Sequence, residues 1–558
     1  MRAFICVFRC RSAVVQNNFS GFRLACAFAC ALTCDARRHL GGIMLSPLVQ
    51  GLVDRCQNPE DSAVLTDCAT GRTVTAQQFW SDSQRVAYRL HQLGITRGDR
   101  VAVTMPAGEV FAHVIYACFI IGAVPAFVDA GTSKEVLAKC VDELSPALWV
   151  STAPVPGHET YLSDQFDVRY STPTADESVI PAEVHPDDAV LLLYTSGNTG
   201  LPKGVPWTGS QLSSYLRVQR DSYAKFGVQS EFAFFSHLGI KAIAMGRRAV
   251  IPALQETQPA LLSIADAVQQ MATYGCDYVF ASPIFWQRLT EHCADKGVEA
   301  PPVKVGATAG AAVNQEMLAH LAQVMPEARL YVPYASTEAL MPVTLIDSET
   351  LAEFTERGTK QGRGVPLGRA VDTRVEVIAS EATDLRDLTD ADFLAAGQIG
   401  ELIVSGPRVT TEYFRRPELT DYAKLRHKGD DSLWHRMGDV GYVDEHSMVW
   451  FLCRKKHVVD TAFGRVYPDQ QEQVYNHHLG VYSSAVIAAP GGARVLLVLP
   501  ESSWGCVSQE AVTAVAEQFS LPVPKLVFYP GSLPSDRRHN SKIDREELSN
   551  WATVQGNL

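Results

Sequence analysis

Eleven residues, Tyr194–Gly204 (YTSGNTGLPKG), combine glycines, hydroxyl side chains and a lysine directly after the apolar run AVLLLY (189–194). A loop of this kind can wrap phosphate oxygens, because backbone N–H groups converge on an anion where no Cβ intrudes. Gly197 and Gly200 leave that room, Thr195, Ser196 and Thr199 add hydroxyl donors, Asn198 an amide donor, and Lys203 a positive charge. The spacing does not fit the Walker arrangement G-x-x-x-x-G-K-[ST]. A Ser/Gly surface turn is the plain alternative, and the buried strand expected just before the loop argues against it.

Such a loop needs a strand to carry it, and the chain on either side alternates short apolar strands with helices. An amphipathic helix is predicted over 82–94, ending at Gly94, and a strand over 100–106. The run Val110–Val128 is about long enough to cross a bilayer, but His113, Gly122 and Pro125 split it into a buried helix and a buried strand. A helix over 134–144 and a strand over 147–151 follow. Residues 152–187, rich in Pro, Ser, Thr and Asp, read as a surface excursion. After the 189–194 strand and the loop, a helix is predicted from about Thr208, and strand–helix units continue through Leu345. From 362 to 407 the texture changes to short strands and turns, a smaller β-rich subdomain. VWFLCRKK (449–456) then leads into a compact tail of helices and strands. This alternation predicts an α/β fold, parallel sheets covered by helices.

The bulk properties narrow the function. At 558 residues the chain is long enough for more than one core. A net charge of −12 disfavours a nucleic-acid binder, and no membrane span is expected. Thirteen cysteines include no CxxC pair and no zinc pattern. The eight beyond residue 43 read as buried thiols of a reducing compartment, which places the protein in the cytoplasm. Residues 1–43 differ from all that follows, with six arginines, one acid and no lysine. They read as an over-extended start, with a cleaved leader as the second reading.

The glycine-rich loop resembles the phosphate-binding signature of the adenylate-forming superfamily, which includes acyl-CoA synthetases, luciferases and peptide-synthetase adenylation domains. Further segments resemble its motifs in order. GATAGAAV (306–313) is similar to the loop beside adenine, placing Gly310, Ala311 and Ala312 there. YASTE (334–338) is similar to the aromatic-Gly-x-Thr-Glu motif, with Ala335 in place of Gly and Ser336 between. The resemblance implies that Tyr334 stacks on adenine, that Thr337 meets the α-phosphate and that Glu338 holds Mg²⁺, a role suited to a hard carboxylate. GELIVSG (400–406) and HRMGDVGY (435–442) match two more motifs, making Asp439 the ribose acceptor and Arg454 a second ribose contact. Lys542, in RRHNSKIDREEL, matches the lysine that stabilises the charge building as pyrophosphate leaves. Asn198, Ala335 and Cys453 depart from the usual residues. The resemblance covers roughly Leu48–Trp551. It implies ATP and Mg²⁺ as cofactors, a large domain of stacked sheets over 44–453, and a small mobile lid over 454–558 turning near Arg454–Lys456.

The acceptor of the acyl group defines the enzyme. GAVPAFVDAG (122–131), PYASTEALMP (333–342), CRKKHVVDTAFG (453–464) and RHNSKI (538–543) resemble the β-lactone synthetases of bacterial olefin biosynthesis. Thiol-using relatives usually carry a D-x-I-K-x-x-G-type string after the hinge arginine; here it is KKHVVDTAFG. The likeness implies a long-chain 2-alkyl-3-hydroxy acid, a lipid-like small molecule, whose own 3-hydroxyl attacks the acyl-adenylate. It also implies neighbouring enzymes of an olefin or β-lactone pathway. A long-chain acyl-CoA or acyl-carrier ligase is the alternative, and a degenerate nucleotide-binding scaffold a third reading. The apolar segments FAFFSHLG (232–239) and FASPIFW (280–286) are candidates for the acyl pocket, or plain core. His457 is a candidate base that reads equally as structural.

Overall fold

The computed structural model describes residues 44–58, 63–128, 134–152, 160–167, 178–195, 201–235, 239–253, 262–309, 313, 315–462, 464–489, 494–535 and 543–555. The long apolar run forms the helix Glu109–Ile121 and the strand Val124–Phe127. Every residue of that helix but Val110 is buried. It stops at Gly122, whose φ of +72° is one that L side chains rarely adopt, and a Cβ there would stand 2.9 Å from Ala182 Cβ. Among the described residues no helix is long and apolar enough to cross a membrane.

The preceding helix begins earlier than the sequence pattern predicts, at Ala76 rather than 82, and runs to Gln92. A capping box sets its start: Gln78 N–H donates to Thr75 Oγ1 at 3.2 Å, and Thr75 N–H donates to Gln78 Oε1 at 3.0 Å. Hydrophobic periodicity alone does not register that polar first turn. The helices over 134–144 and after Thr208 form as predicted, the second as Gly209–Tyr223 with a Thr208–Gln211 capping box. What the prediction omits is the strand Gly204–Thr208, which lies between the loop and that helix.

Two large sheets carry the chain. In the first, six strands run in the spatial order Gly204–Thr208, Ala189–Tyr194, Val124–Phe127, Arg100–Thr104, Leu148–Ser151, Thr160–Leu162. All neighbours are parallel except the first pair. The edge strand Thr160–Leu162 comes from the stretch expected to be a surface excursion. The second sheet is parallel through Leu65–Asp67, Arg248–Ile251, Ser230–Phe232, Tyr278–Ala281, Val305–Thr308 and Arg329–Ser336. It turns antiparallel at Ala339–Asp347 and continues into the 365–454 strands. The β-rich subdomain is thus joined to the parallel part by Thr344↔Ala370 and Leu345↔Arg369. The fold is α/β with stacked sheets.

Beyond Arg454 come a hairpin (Val459–Thr461 with Gly464–Val466), the helix Pro468–Leu479, a three-stranded sheet, and the helices Gln509–Gln518 and Arg545–Gln555. This tail has its own apolar cores, one around Val474, Tyr475, Leu497 and Val512 and another around Ile487, Val498 and Leu548. Its links to earlier residues are polar in part: Gln470 Nε2 donates to Gly362 O at 2.5 Å, Tyr482 O–H to Gln287 Oε1 at 2.6 Å, and Lys455 pairs with Glu401 at 2.8 Å, while Tyr467 packs against the apolar core that holds Trp450 and Leu452. Contacts nonetheless gather Leu45–Leu558 into one compact unit.

Candidate active site

The Tyr194–Gly204 loop closes a hairpin. Its strands pair antiparallel with Tyr194 opposite Gly204, so the loop springs from two strand ends rather than from a helix N-terminus. Two bonds tie its base: Thr195 N–H donates to Lys203 O at 3.0 Å, and Lys203 N–H donates to Thr195 Oγ1 at 3.2 Å. Ser196, Gly197, Asn198, Thr199 and Gly200 lie outside the described residues. Gly204 must be small, because a Cβ there would meet Phe414 Cβ at 3.1 Å and Tyr194 at 3.3 Å. Phe414 N–H donates to Gly204 O at 2.8 Å, which clips the segment Thr410–Phe414 against the loop.

That clip brings in a residue the motifs do not signal. Tyr413 is buried, with the Lys203 ammonium 4.9 Å from its ring centroid. Its hydroxyl donates to Glu338 Oε1 at 2.6 Å. Burial first, then the Glu338 carboxylate, pushes the phenol far above its ordinary pKa, so it remains a donor. Tyr413 therefore joins the loop lysine to the acid of the YASTE segment. Its only sequence signal is an aromatic residue in the turn-rich string TTEYFRRPE.

Thr337 and Glu338 form the two-residue tip between strands Arg329–Ser336 and Ala339–Asp347, where Ser336 faces Ala339. Ala339 N–H donates to Ser336 Oγ at 3.1 Å, and Trp207 Nε1–H donates to Thr337 O at 3.1 Å. The register shifts between Tyr334 and Ser336, leaving Ala335 in the irregularity with a negative φ. Alanine is therefore tolerated where relatives usually carry glycine.

Tyr334, Asp439 and Arg454 form a triangle. Asp439 and Arg454 sit opposite one another on strands Leu433–Val443 and Val449–Arg454. Arg454 Nη1 lies 2.9 Å from Asp439 Oδ1, and Tyr334 O–H donates to Asp439 Oδ2 at 2.6 Å. Burial, then the Asp439 charge, raises the Tyr334 phenol well above its ordinary range. Asp439 is only 2% exposed, whereas Arg454 reaches solvent. A carboxylate held from two sides has a fixed orientation. Cys453 is fully buried and its thiol pKa is raised by that burial, so it packs rather than reacts.

Gly310, Ala311 and Ala312 lie outside the described residues, beyond strand Val305–Thr308. In that strand a Cβ on Gly306 would stand 2.8 Å from the Trp286 ring. Trp286 is fully buried, so this part of the 280–286 segment is core, not pocket. Phe235 and Phe280, both half-buried with centroids 5.7 Å apart, do bring the two aromatic segments together.

Lys542 also lies outside the described residues. Just after it, Arg545 grips Glu472 with bonds of 2.6 and 2.7 Å and pairs with Asp469 at 3.4 Å, anchoring the helix that follows. His457 is a poor base here. Burial and the cations Arg545, Lys456 and Arg454 push its imidazole down to about 3, so it stays neutral and weakly basic. His435 is likewise held neutral by burial and by Lys424. Elsewhere, Asp82, Glu109 and His113 cluster within 4.8 Å of one another, but Arg85 and Arg72 take the two carboxylates at 2.5 and 2.6 Å. That is an ion-pair network. Of the eight described cysteines five are buried, while Cys506 is exposed.

Comparison with known proteins agrees with this geometry. Residues 52–414 match the AMP-binding enzyme family. The chain is 31% identical to the olefin beta-lactone synthetase of Xanthomonas campestris pv. campestris, over 87% of this chain and 91% of that one. It is 26% identical to a putative acyl-CoA ligase of Bacillus subtilis, over 86% of this chain and 94% of that one. The fold superimposes on the o-succinylbenzoate coenzyme A synthetase of Bacillus subtilis in complex with ATP and magnesium ion. That match has a TM-score of 0.72 at 19% identity, covering 91% and 99% of the two chains. Motif order, fold and full-length similarity converge: the chain belongs to the AMP-binding enzyme family, as an ATP-using, adenylate-forming ligase most like the olefin β-lactone synthetases.

Proposed function

We propose that this ligase activates a long-chain 2-alkyl-3-hydroxy acid as its acyl-AMP and closes it to a β-lactone without coenzyme A. The observation that carries this reading is the 31% identity, over 87% of the chain, to an olefin β-lactone synthetase. The KKHVVDTAFG string after Arg454, where thiol-using relatives usually carry D-x-I-K-x-x-G, supports it.

In this reading the Thr195–Lys203 loop and Lys203 cradle the β- and γ-phosphates. Tyr334 and the Gly310–Ala312 loop bracket adenine, and Asp439 with Arg454 takes the ribose hydroxyls. Lys542 bridges the substrate carboxylate and the α-phosphate, where charge builds as the carboxylate displaces pyrophosphate. Glu338 suits Mg²⁺: it is a hard carboxylate at a hairpin tip, with one oxygen already oriented by Tyr413. The ion, when bound, neutralises phosphate charge. Residues 454–558 act as a lid, a reading supported by their own apolar cores, which let them move as a body. The 3-hydroxyl is tethered to the acyl carbon it attacks. Effective molarities on the order of 10⁵ M or more are available to a well-oriented internal nucleophile, so no second substrate is needed.

The test follows AMP and organic product together, with and without coenzyme A. β-Lactone and AMP should form equally in both, and a 3-deoxy analogue should stall as bound acyl-AMP. A thioester formed only with coenzyme A would replace this reading with an acyl-CoA ligase.

A further inference from the structure

Lys424 belongs to no motif of the sequence, yet it sits at the site. It opens the strand Lys424–His427 directly after the helix Pro417–Ala423. It is 8% exposed, and among the described residues no carboxylate forms an ion pair with it. Its Nζ donates to Thr410 Oγ1 at 3.2 Å. Thr410 is fully buried and grips the hairpin tip twice, its N–H donating to Glu338 O at 2.9 Å and its hydroxyl to the same oxygen at 3.1 Å. The acid whose field acts on Lys424 is Glu338. Across the strand pair Lys424 faces His435, which is held neutral and adds no positive charge.

A buried ammonium with one hydroxyl acceptor is costly: burial pushes the Lys424 amine down to about 7 against the field of Glu338, which favours the charged form, and an apolar side chain of the same shape is the cheaper solution for folding alone. Its neighbours explain its place. Glu338 is linked to Lys203 through the Tyr413 ring and hydroxyl, and to Lys424 through Thr410. In the reading above Lys203 engages phosphate when ATP is bound, which leaves Lys424 and Arg454 as cations whose fields meet Glu338.

We infer that Lys424 is a positioning residue for adenylation: through Thr410 it fixes the Thr337–Glu338 tip and supplies the positive charge that holds the Glu338 carboxylate in place once Lys203 engages phosphate. This rests on the assignment of Glu338 to Mg²⁺ made above.

The test uses the full-length enzyme with Lys424→Met, which keeps the shape and removes the charge, and Lys424→Arg, which restores it. Lys424→Met should melt at or above the wild-type temperature, since an unpaired buried charge is gone. Its pyrophosphate-exchange rate should fall at least tenfold, with the KM for the acid within twofold. In calorimetric titration with ATP and no acid, the gain in affinity on adding Mg²⁺ should shrink several-fold, while Mg²⁺-free binding stays unchanged. Lys424→Arg should recover part of both. If Lys424→Met does not fold, Thr410→Val cuts the same link and should show the same Mg²⁺-specific loss. Wild-type exchange and wild-type Mg²⁺ dependence in the folded Met variant, or in Thr410→Val, would overturn the inference. Glu338→Gln is the control: if it is inactive while Lys424→Met is normal, only the role of Lys424 fails. If Glu338→Gln is itself normal, the Glu338 assignment falls and takes this inference with it.

Discussion

Replacing Tyr413 by phenylalanine isolates one bond. The ring under Lys203 stays, so the cation–π contact at 4.9 Å is kept. What disappears is the 2.6 Å donation from the hydroxyl to Glu338 Oε1. Hydrogen bonds to charged groups contribute about 1.5–3 kcal/mol. If the bond orients Glu338 in the transition state, kcat/KM for pyrophosphate exchange should fall roughly 10- to 150-fold, at about 1.4 kcal/mol per decade. Thermal stability should change much less, because Glu338 is half-buried at a hairpin tip and water can replace the lost donor. Tyr413→Leu removes the ring as well and should lose a further fewfold, since cation–π contacts contribute about 0.5–2 kcal/mol. The assay is isotope exchange between pyrophosphate and ATP at saturating acid, with melting curves alongside. A Tyr413→Phe enzyme within twofold of wild type would show that the bond only packs the clip and does not serve the chemistry.

Two further outcomes follow from the site and its hinge. Lys542→Ala should abolish pyrophosphate exchange while ATP binding, read by calorimetry, stays within a few-fold; near-normal exchange would remove Lys542 from the mechanism. His457 is held near 3 when folded and titrates near 6.5 when unfolded, so between those values the unfolded chain binds the extra proton and stability falls as pH drops. His457→Asn should flatten that fall in melting temperature between about pH 6.5 and 4, and an unchanged pH profile would refute the environment described for this ring.

Much of the architecture is local and therefore legible in the residues. The helix–strand split of Val110–Val128 followed from Gly122 and Pro125, and the 134–144 helix from its periodicity. The buried strand before the glycine-rich segment followed from its apolar run, and the motif order led to the family, because each motif is a short contiguous string. Misread elements were those whose start is polar or whose strands are short: the first turn of Ala76–Gln92, the strand Gly204–Thr208 and the edge strand Thr160–Leu162.

The site as an arrangement was decided by pairing across long separations. Phe414 meets Gly204 through a backbone bond, and no side-chain pattern in either segment announces it. That bond carries Tyr413 to Glu338, 75 residues away in sequence. Asp439 and Arg454 are recognisable singly, but that they face one another and that Tyr334 closes the triangle depends on strand register. A one-residue slip of that register would turn either side chain to the opposite face of the sheet. Lys424 is the clearest case. As a letter it is one charged residue among many, and only burial beside Thr410 and Glu338 separates it from the solvated lysines. Residue type sets what a group can do. Its neighbours and its access to water, which decide whether it does so, belong to the tertiary structure.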